Sequence, residues 1–307
     1  MTDLLSVIIP TYNPDLEKLS GVLNSLAEQD LAYHLWEIII IDNNSSTDFS
    51  TDITLDWHPH AKMVTEPKQG LTYARLKGFT EAKGNIIVMI DDDNIPAVNY
   101  LSKAVEIFQQ NLSIGAIGGR SLPLFEYTPP AWLNEFSASL ALRDLGDEVI
   151  IEGWENKYPA AAPIGAGMAI RKEALKSYID KITQGRVNIT DRSGKSLSSG
   201  GDNDIVIEVL KSGWLTGYFP SLIIQHIIPE ERMQPAYIAR LINHTNKSWV
   251  LLLESQHINP WHKIPKWTVP LRKIKAWVAF KAWKNKISYI QWRGACGTLD
   301  GLAQIKN

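Results

Sequence analysis

Residues 86–94 read Ile-Ile-Val-Met-Ile-Asp-Asp-Asp-Asn, an apolar run that passes straight into three aspartates. So short a continuous apolar run suits a strand buried on both faces of a parallel sheet, where alternation is lost because both faces are covered. Two earlier segments share the pattern. Ser6 to Pro10 (SVIIP) leads into Thr11-Tyr12-Asn13, and Trp36 to Ile41 (WEIIII) leads into Asp42-Asn43-Asn44. Between them Leu16, Leu19, Leu23 and Leu26 recur at the spacing of an amphipathic helix, and a helical segment over Leu71 to Ala82 precedes the third run. Strand, helix, strand, helix, strand predicts an α/β fold with a mostly parallel central sheet flanked by helices. Ligands of such sheets sit beyond the carboxyl ends of the strands, where the three polar clusters fall.

The 307 residues are 45% hydrophobic and 21% charged, enough apolar chain for a large core and far too much for a disordered protein. A formal net charge of −2 excludes nucleic-acid binding by bulk positive charge. Cys296 is the single cysteine, which leaves no disulfide framework and no cysteine-based zinc site. The N-terminal residues lack the basic flank of a signal peptide, and no stretch reaches the roughly 18 apolar residues of a membrane span. The expectation is a cytoplasmic protein. Charge is uneven, however. From Pro260 onward ten lysines and arginines face one acid, Asp300, a local balance of +9 that leaves −11 for the rest. The same tail holds Trp261, Trp267, Trp277, Trp283 and Trp292, five of the eleven tryptophans.

Three adjacent carboxylates repel one another unless a cation offsets them, so Asp91, Asp92 and Asp93 point to a hard divalent ion such as Mg²⁺ or Mn²⁺; a solvated turn is the plain alternative. His226 interrupts the apolar run SLIIQHIIP and is either a satisfied core imidazole or a metal ligand. Asp202, in SGGDND, stands at a glycine-flanked helix start, where it is an N-cap or a general base. Asp204 is its fallback. Asp42 and Arg75 say little singly: one ends a strand, the other reads equally well as a solvated helix charge. A dinucleotide fingerprint after the first strand, a Walker-type phosphate loop and a G-x-S-x-G elbow are all absent.

Together the segments SVIIPTYN (6–13), IIIDNNSSTD (39–48), GLTYARLKGFTEAKGNIIVMIDDDN (70–94), PIGAGMAIRKEAL (163–175), SGGDNDIVIEVLKSGW (199–214) and HIIPEER (226–232) resemble the inverting family 2 glycosyltransferases of the GT-A fold. The resemblance spans about residues 5 to 230. It implies a nucleoside cradle from Pro10, Thr11, Tyr12, Asn13 and Asp42, with Arg75 on base or phosphate. It also implies a D-x-D element in which Asp91 contacts ribose or a metal-bound water and Asp93 ligates the metal. His226 becomes a second metal contact, Asp92 part of the nucleotide site, and Asp202 the base. Gly201 departs from the pattern, standing where an acidic residue is common.

The implied architecture is a catalytic domain over 1–230, with a nucleotide-sugar half over about 1–115 and an acceptor half over 116–230, then a helical, tryptophan-rich basic extension over 231–307. The implied reaction takes a UDP-, GDP- or dTDP-linked sugar to a glycan or lipid-linked glycan. Two other functions stay open, an inactive carbohydrate-binding scaffold, favoured by Gly201, and a metal-dependent nucleotidyltransferase, disfavoured by the glycine-free first loop TYNPDLEKLS. The tail suggests peripheral contact with an anionic membrane, or helices packing their aromatics on the body. A wheel drawn over Leu271 to Arg293 gives no single apolar face. Trp132, Trp154 and the PIGAGM segment are acceptor-side candidates, left unranked.

Overall fold

The computed structural model describes residues 4–185 and 200–305. The serine- and glycine-rich loop expected over 192–201 lies outside the described residues except for its last two glycines. The described residues form two compact units: one draws on 4–124, 141–185 and 202–227, the other on 125–140, 200–201 and 228–305.

The first unit is a sheet with helices. Strands β1 (Leu5–Thr11), β2 (Trp36–Asp42), β3 (Ala61–Thr65) and β4 (Ile86–Met89) run in the order β3-β2-β1-β4 and are mutually parallel. The apolar runs are buried as their composition requires: β1, β4 and all of β2 except Asp42 lie out of solvent. Helix α1 (Leu16–Ala27) follows β1; its N-cap is Asp15, whose carboxylate accepts from the Glu17 and Lys18 amides, and it buries Leu19, Val22, Leu23 and Leu26. Helix α2 (Leu71–Glu81) crosses from β3 back to β4.

Beyond β4 the sheet turns antiparallel. After β5 (Asn94–Pro96) and helix α3 (Tyr100–Gln110) come β6 (Ile114–Phe125), β7 (Ile150–Glu152), β8 (Ala169–Arg171), helices α4 (Lys176–Thr183) and α5 (Gly201–Lys211), and β9 (Leu215–Ile228). The order continues β4-β8-β6-β9-β5, with β7 also on β9. β8 runs antiparallel to both β4 and β6, and β5 and β7 run antiparallel to β9. The first four strands are the parallel block, with α1 and α2 as the crossovers into β2 and β4 and an irregular connection from β2 to β3.

The second unit is helical: a 3₁₀ stretch over Ala131–Leu140, then α6 (Pro235–Ser255), α7 (Val269–Ala279) and α8 (Lys286–Leu302). Helices α6 and α8 pack closely because α8 presents glycine: a Cβ at Gly297 would lie 2.0 Å from the Asn243 carbonyl oxygen. Asn243 also donates from Nδ2 to the Arg293 carbonyl at 2.8 Å. Helix α7 stops at Ala279, and the chain turns through Lys281 (φ 49°) before Asn285 caps α8 through the Ser288 amide. One wheel over Leu271 to Arg293 thus spans two helices with different axes, which is why it shows no coherent face.

Candidate functional site

The carboxyl ends of the parallel strands are laced together. The register sets Thr11 beside Asp42, and Asp42 beside Thr65. Thr11 donates its hydroxyl to Asp92 Oδ2, tying the end of β1 to the aspartate run. Asn13, in the left-handed region (φ 48°), receives the Ser46 amide and hydroxyl at 2.8 and 2.9 Å on Oδ1 and donates its own amide to Ser45 Oγ at 2.8 Å. Asp42 Oδ1 accepts from the Ser45 amide at 3.0 Å. The predicted cradle residues thus come together, with Pro10 buried beneath and Tyr12 exposed above.

Asn43 holds this corner and was missed in the sequence. It is buried, donates Nδ2 to the carbonyls of Glu66 and Lys68 at 3.1 and 2.8 Å, and accepts the Gly70 amide on Oδ1 at 2.7 Å. Its own amide donates to the Thr11 carbonyl at 2.9 Å. One residue therefore joins four segments: its backbone amide ties the end of β2 to the end of β1, and its side chain ties the end of β2 to the loop after β3 and the start of α2. An asparagine in a DNN turn carries no sequence mark of that.

Asp91 to Asp93 form a tight turn closed by the Asn94 amide on the Asp91 carbonyl at 3.1 Å. Asp93 and His226 are both buried and adjacent, because β5 and β9 pair Asn94 with His226; His226 Nε2 lies 3.4 Å from Asp93 Oδ2. Asp93 Oδ1 accepts from Asn94 Nδ2 at 3.0 Å. The Asp93 carboxylate is a hard oxygen ligand suited to Mn²⁺ or Mg²⁺, and an adjacent imidazole favours the softer Mn²⁺ of the two. The 3.4 Å between the pair is near the about 3.0 Å that separates adjacent ligands of an octahedral ion. Among the described residues no group of three His, Cys, Asp or Glu could hold a metal ion. An ion here would complete its coordination with phosphate oxygens and water, as such ions commonly do.

The PIGAGM segment meets the same end of the sheet. Gly167 donates its amide to the Met89 carbonyl at 3.0 Å and, with φ 75°, brings its carbonyl to the buried Tyr100 hydroxyl. Two residues earlier, Gly165 donates its amide to Asp202 Oδ2 at 2.9 Å. A Cβ at Gly165 would stand 2.8 Å from Arg75 Nη2 and 3.2 Å from that carboxylate oxygen. Arg75 is buried, not a solvated helix charge, and it converges with Asp202 on one glycine. The sequence marked the segment as an acceptor-side candidate; the structure brings its Gly165 against Asp202 and Arg75.

Asp202 and Asp204 part ways. Asp202, half-buried in the first turn of α5, faces Gly165. Asp204 is buried and bound to Lys181 at 2.6 Å, and Lys181 also reaches Glu208 at 2.9 Å. Beside Asp202, burial first and the Asp202 carboxylate second push the Tyr158 hydroxyl above the usual tyrosine range. Tyr158 therefore stays protonated, and it donates to Asn203 Oδ1 at 2.6 Å. Of the acceptor-side tryptophans, Trp154 lies under Lys211 Nζ at 5.3 Å, and Trp132, in the second unit, lies under Lys286 Nζ at 5.3 Å.

A mixed α/β sheet with its polar clusters at the strand ends is the architecture of GT-A glycosyltransferases, and solved structures agree. The Pyrobaculum calidifontis mannosyltransferase PcManGT, in complex with GDP-Man and Mn²⁺, matches 96% of this chain and 74% of its own, with a TM-score of 0.58 at 19% identity. Residues 1–349 of TarS from S. aureus, in complex with UDP-GlcNAc, match 98% of this chain and 90% of their own, with a TM-score of 0.56 at 14% identity. The fold is of GT-A type. The sequence profile named "Glycosyl transferase family 2" matches residues 6–178, so the chain belongs to that family. Among curated relatives, an N-acetylglucosaminyltransferase of Mesorhizobium japonicum is 25% identical over 238 residues, covering 73% of this chain and 51% of the relative. A glucosyl-dolichyl phosphate glucuronosyltransferase of Haloferax volcanii is 25% identical over 134 residues, covering 43% and 42%. The chain thus spans about half the length, or less, of these relatives.

Proposed function

We propose that the chain is an inverting glycosyltransferase that carries a sugar from a nucleoside-diphosphate donor to an acceptor hydroxyl in polysaccharide, lipopolysaccharide or glycolipid assembly. The observation that carries the reading is the convergence at Gly165, where the Asp202 carboxylate and the Arg75 guanidinium are packed against one backbone unit tied to the end of β4. In this reading the Gly165 amide fixes one oxygen of Asp202 and leaves the other to take the proton of the acceptor hydroxyl. The acceptor oxygen, losing that proton to Asp202, attacks the anomeric carbon as the bond from that carbon to the diphosphate oxygen breaks; the bonding electron pair leaves with the diphosphate, and a single in-line displacement inverts the centre.

Pro10 to Asn13 and Asp42 hold the nucleoside, Arg75 faces base or phosphate, and Asp91 lies at the ribose. Asp92 braces Thr11. A divalent ion held by Asp93 and His226, Mg²⁺ or Mn²⁺, would supply neutralisation of the charge that grows on the leaving diphosphate. Asp204, committed to Lys181, is left out of the chemistry. The donor is a UDP-, GDP- or dTDP-linked sugar; UDP-N-acetylglucosamine is the first to test, because curated relatives are named N-acetylglucosaminyltransferases and the TarS structure holds UDP-GlcNAc. The setting is the cytoplasm, with the protein peripheral on the inner face of the membrane.

The test is thermal shift and calorimetry with UDP, GDP and dTDP, with and without Mn²⁺ or Mg²⁺, on the wild type and Asp93→Ala. One nucleoside diphosphate stabilising the wild type mainly when metal is present, and losing that metal dependence in the variant, is expected. Binding of none of them under any metal condition overturns the donor site.

A further inference from the structure

Helix α7 has a covered face and an uncovered one. On the covered face Val269 is buried with Leu302, Lys273 pairs with Asp300 at 2.8 Å, and the Lys273 carbonyl accepts from Trp292 Nε1 at 3.0 Å. Trp277 meets Trp292 edge-on, ring centroids 4.7 Å apart. Trp267, in the 3₁₀ turn Lys266–Thr268 just before the helix, is followed on the uncovered side of α7 by Leu271, Ile274 and Val278, whose spacing of three and four residues is one row of a helix. They are 76, 65, 62 and 58% exposed. Trp283, 61% exposed, follows in the turn after the helix. Scattered exposed apolar side chains are ordinary, but an ordered row of them needs a covering partner.

The charge around the row says which partner. Lys266, Arg272, Lys275, Lys281 and Lys284 are all exposed: Arg272 and Lys275 on α7 itself, Lys266 in the turn before it, Lys281 and Lys284 in the turn after. The one acid from residue 260 onward, Asp300, is held by Lys273. No helix among the described residues is long and apolar enough to cross a membrane, and α7 has only 11 residues. We infer that this face of α7 is a docking surface for an anionic lipid bilayer. The helix lies in the membrane plane, its apolar row enters the boundary between headgroups and acyl chains, and the basic side chains meet the headgroup phosphates. A groove on another protein would need a continuous acidic rim to match the same charges, and a bilayer rich in anionic lipid supplies that everywhere. The inference deepens the peripheral location proposed above and rests on it, but it uses neither Asp93 nor Asp202, so the docking surface and the donor site can fail separately.

The experiment is co-sedimentation of the full chain with vesicles of phosphatidylglycerol and phosphatidylcholine, against vesicles of phosphatidylcholine alone, with tryptophan emission as a second readout. Binding to the anionic vesicles with a blue shift, at least tenfold weaker binding to the neutral ones, and weakening with added salt are expected. Leu271→Ser/Ile274→Ser/Val278→Ser should lose at least tenfold in vesicle affinity. Lys275→Gln/Lys281→Gln/Lys284→Gln should lose about fivefold for each lysine removed. Because all six side chains are exposed, both variants should melt as the wild type does, which separates lost docking from lost fold. No binding by the wild type, equal binding to neutral vesicles, or variants that bind like the wild type would each overturn the assignment. A concentration-dependent dimer in sedimentation velocity, abolished by the serine variant and unaccompanied by vesicle binding, would overturn it in favour of a second copy of the chain.

Discussion

In the parallel block β3-β2-β1-β4 the isoleucines from Ile38 to Ile41 are all buried, and the side chains able to do chemistry stand at one end. In α7 a leucine, an isoleucine and a valine stand in a row in water, with lysines at their flanks. Both regions are apolar by composition. They differ in where the covering surface comes from: helices of the same chain for the block, and an outside surface for α7. The first arrangement fixes atoms to fractions of an ångström, as the Asn43 and Gly165 contacts require. The second leaves a side chain's energy to be collected on binding.

The sharpest way to break this contrast is at the catalytic end of the block. Asp202→Asn should cost about 10²- to 10⁴-fold in kcat with thermal stability nearly unchanged, since the role proposed for it is to take a proton. Asp204→Asn should do the reverse: about 3 kcal/mol of stability lost as the buried pair with Lys181 is broken, and kcat of the folded fraction preserved. Kinetics and urea titrations on the two variants decide between them, and a kcat lost with Asp204 but kept without Asp202 would exchange the roles.

Matched substitutions sharpen the comparison itself. Ile40→Ala, in the middle of β2, should cost about 2–5 kcal/mol, while Ile274→Ala on the α7 row should fall within about 0.5 kcal/mol of the wild type. Chemical denaturation reads both. A large loss at Ile274 would mean that its face is already covered within the chain.

A smaller, pH-dependent effect belongs to the edge of the block. His58 is buried among Tyr33, Trp36 and Trp57, its Nε2 without a hydrogen-bond partner among the described residues. Burial first, then the neighbouring His60, lowers its pKa from 6.5 to about 4. Above pH 6.5 the ring is neutral in both folded and unfolded chains. Between pH 6.5 and about 4 the unfolded chain takes up a proton that the folded chain refuses. Stability present above pH 6.5 is therefore lost as pH falls through that window, by up to about 3 kcal/mol. His58→Phe should flatten that part of the profile when the two proteins are unfolded in urea at pH 7, 5 and 4.

The parallel block was legible because its signal is local. A run such as WEIIII states its own burial, and the strands read over Ser6–Pro10, Trp36–Ile41 and Ile86–Ile90 sit at Leu5–Thr11, Trp36–Asp42 and Ile86–Met89. The antiparallel half was not legible in the same way. β8 is three residues long and finds β4 some 80 residues away, and β9 buries Leu222, Ile224, His226 and Ile228 on one face while carrying isoleucine on the other as well. Neither fact is written in local periodicity. At the site, carboxylates after an apolar strand marked Asp91 to Asp93, a glycine-flanked helix start marked Asp202, and Asp42 drew notice only through the resemblance, but Asn43, Gly165 and the burial of Arg75 depend on contacts between segments distant in sequence.

The fourfold attachment of Asn43 has a consequence for how ligands meet this molecule. The ends of β1 and β2, the turn after β3 and the start of α2 are joined when the chain folds, before any nucleotide is present. Their conformational entropy is then already lost, and a nucleotide binding at that corner, as proposed above, would meet a preorganised surface instead of having to order these segments. Association there should be governed by encounter and desolvation, with little backbone rearrangement between the free and occupied corner.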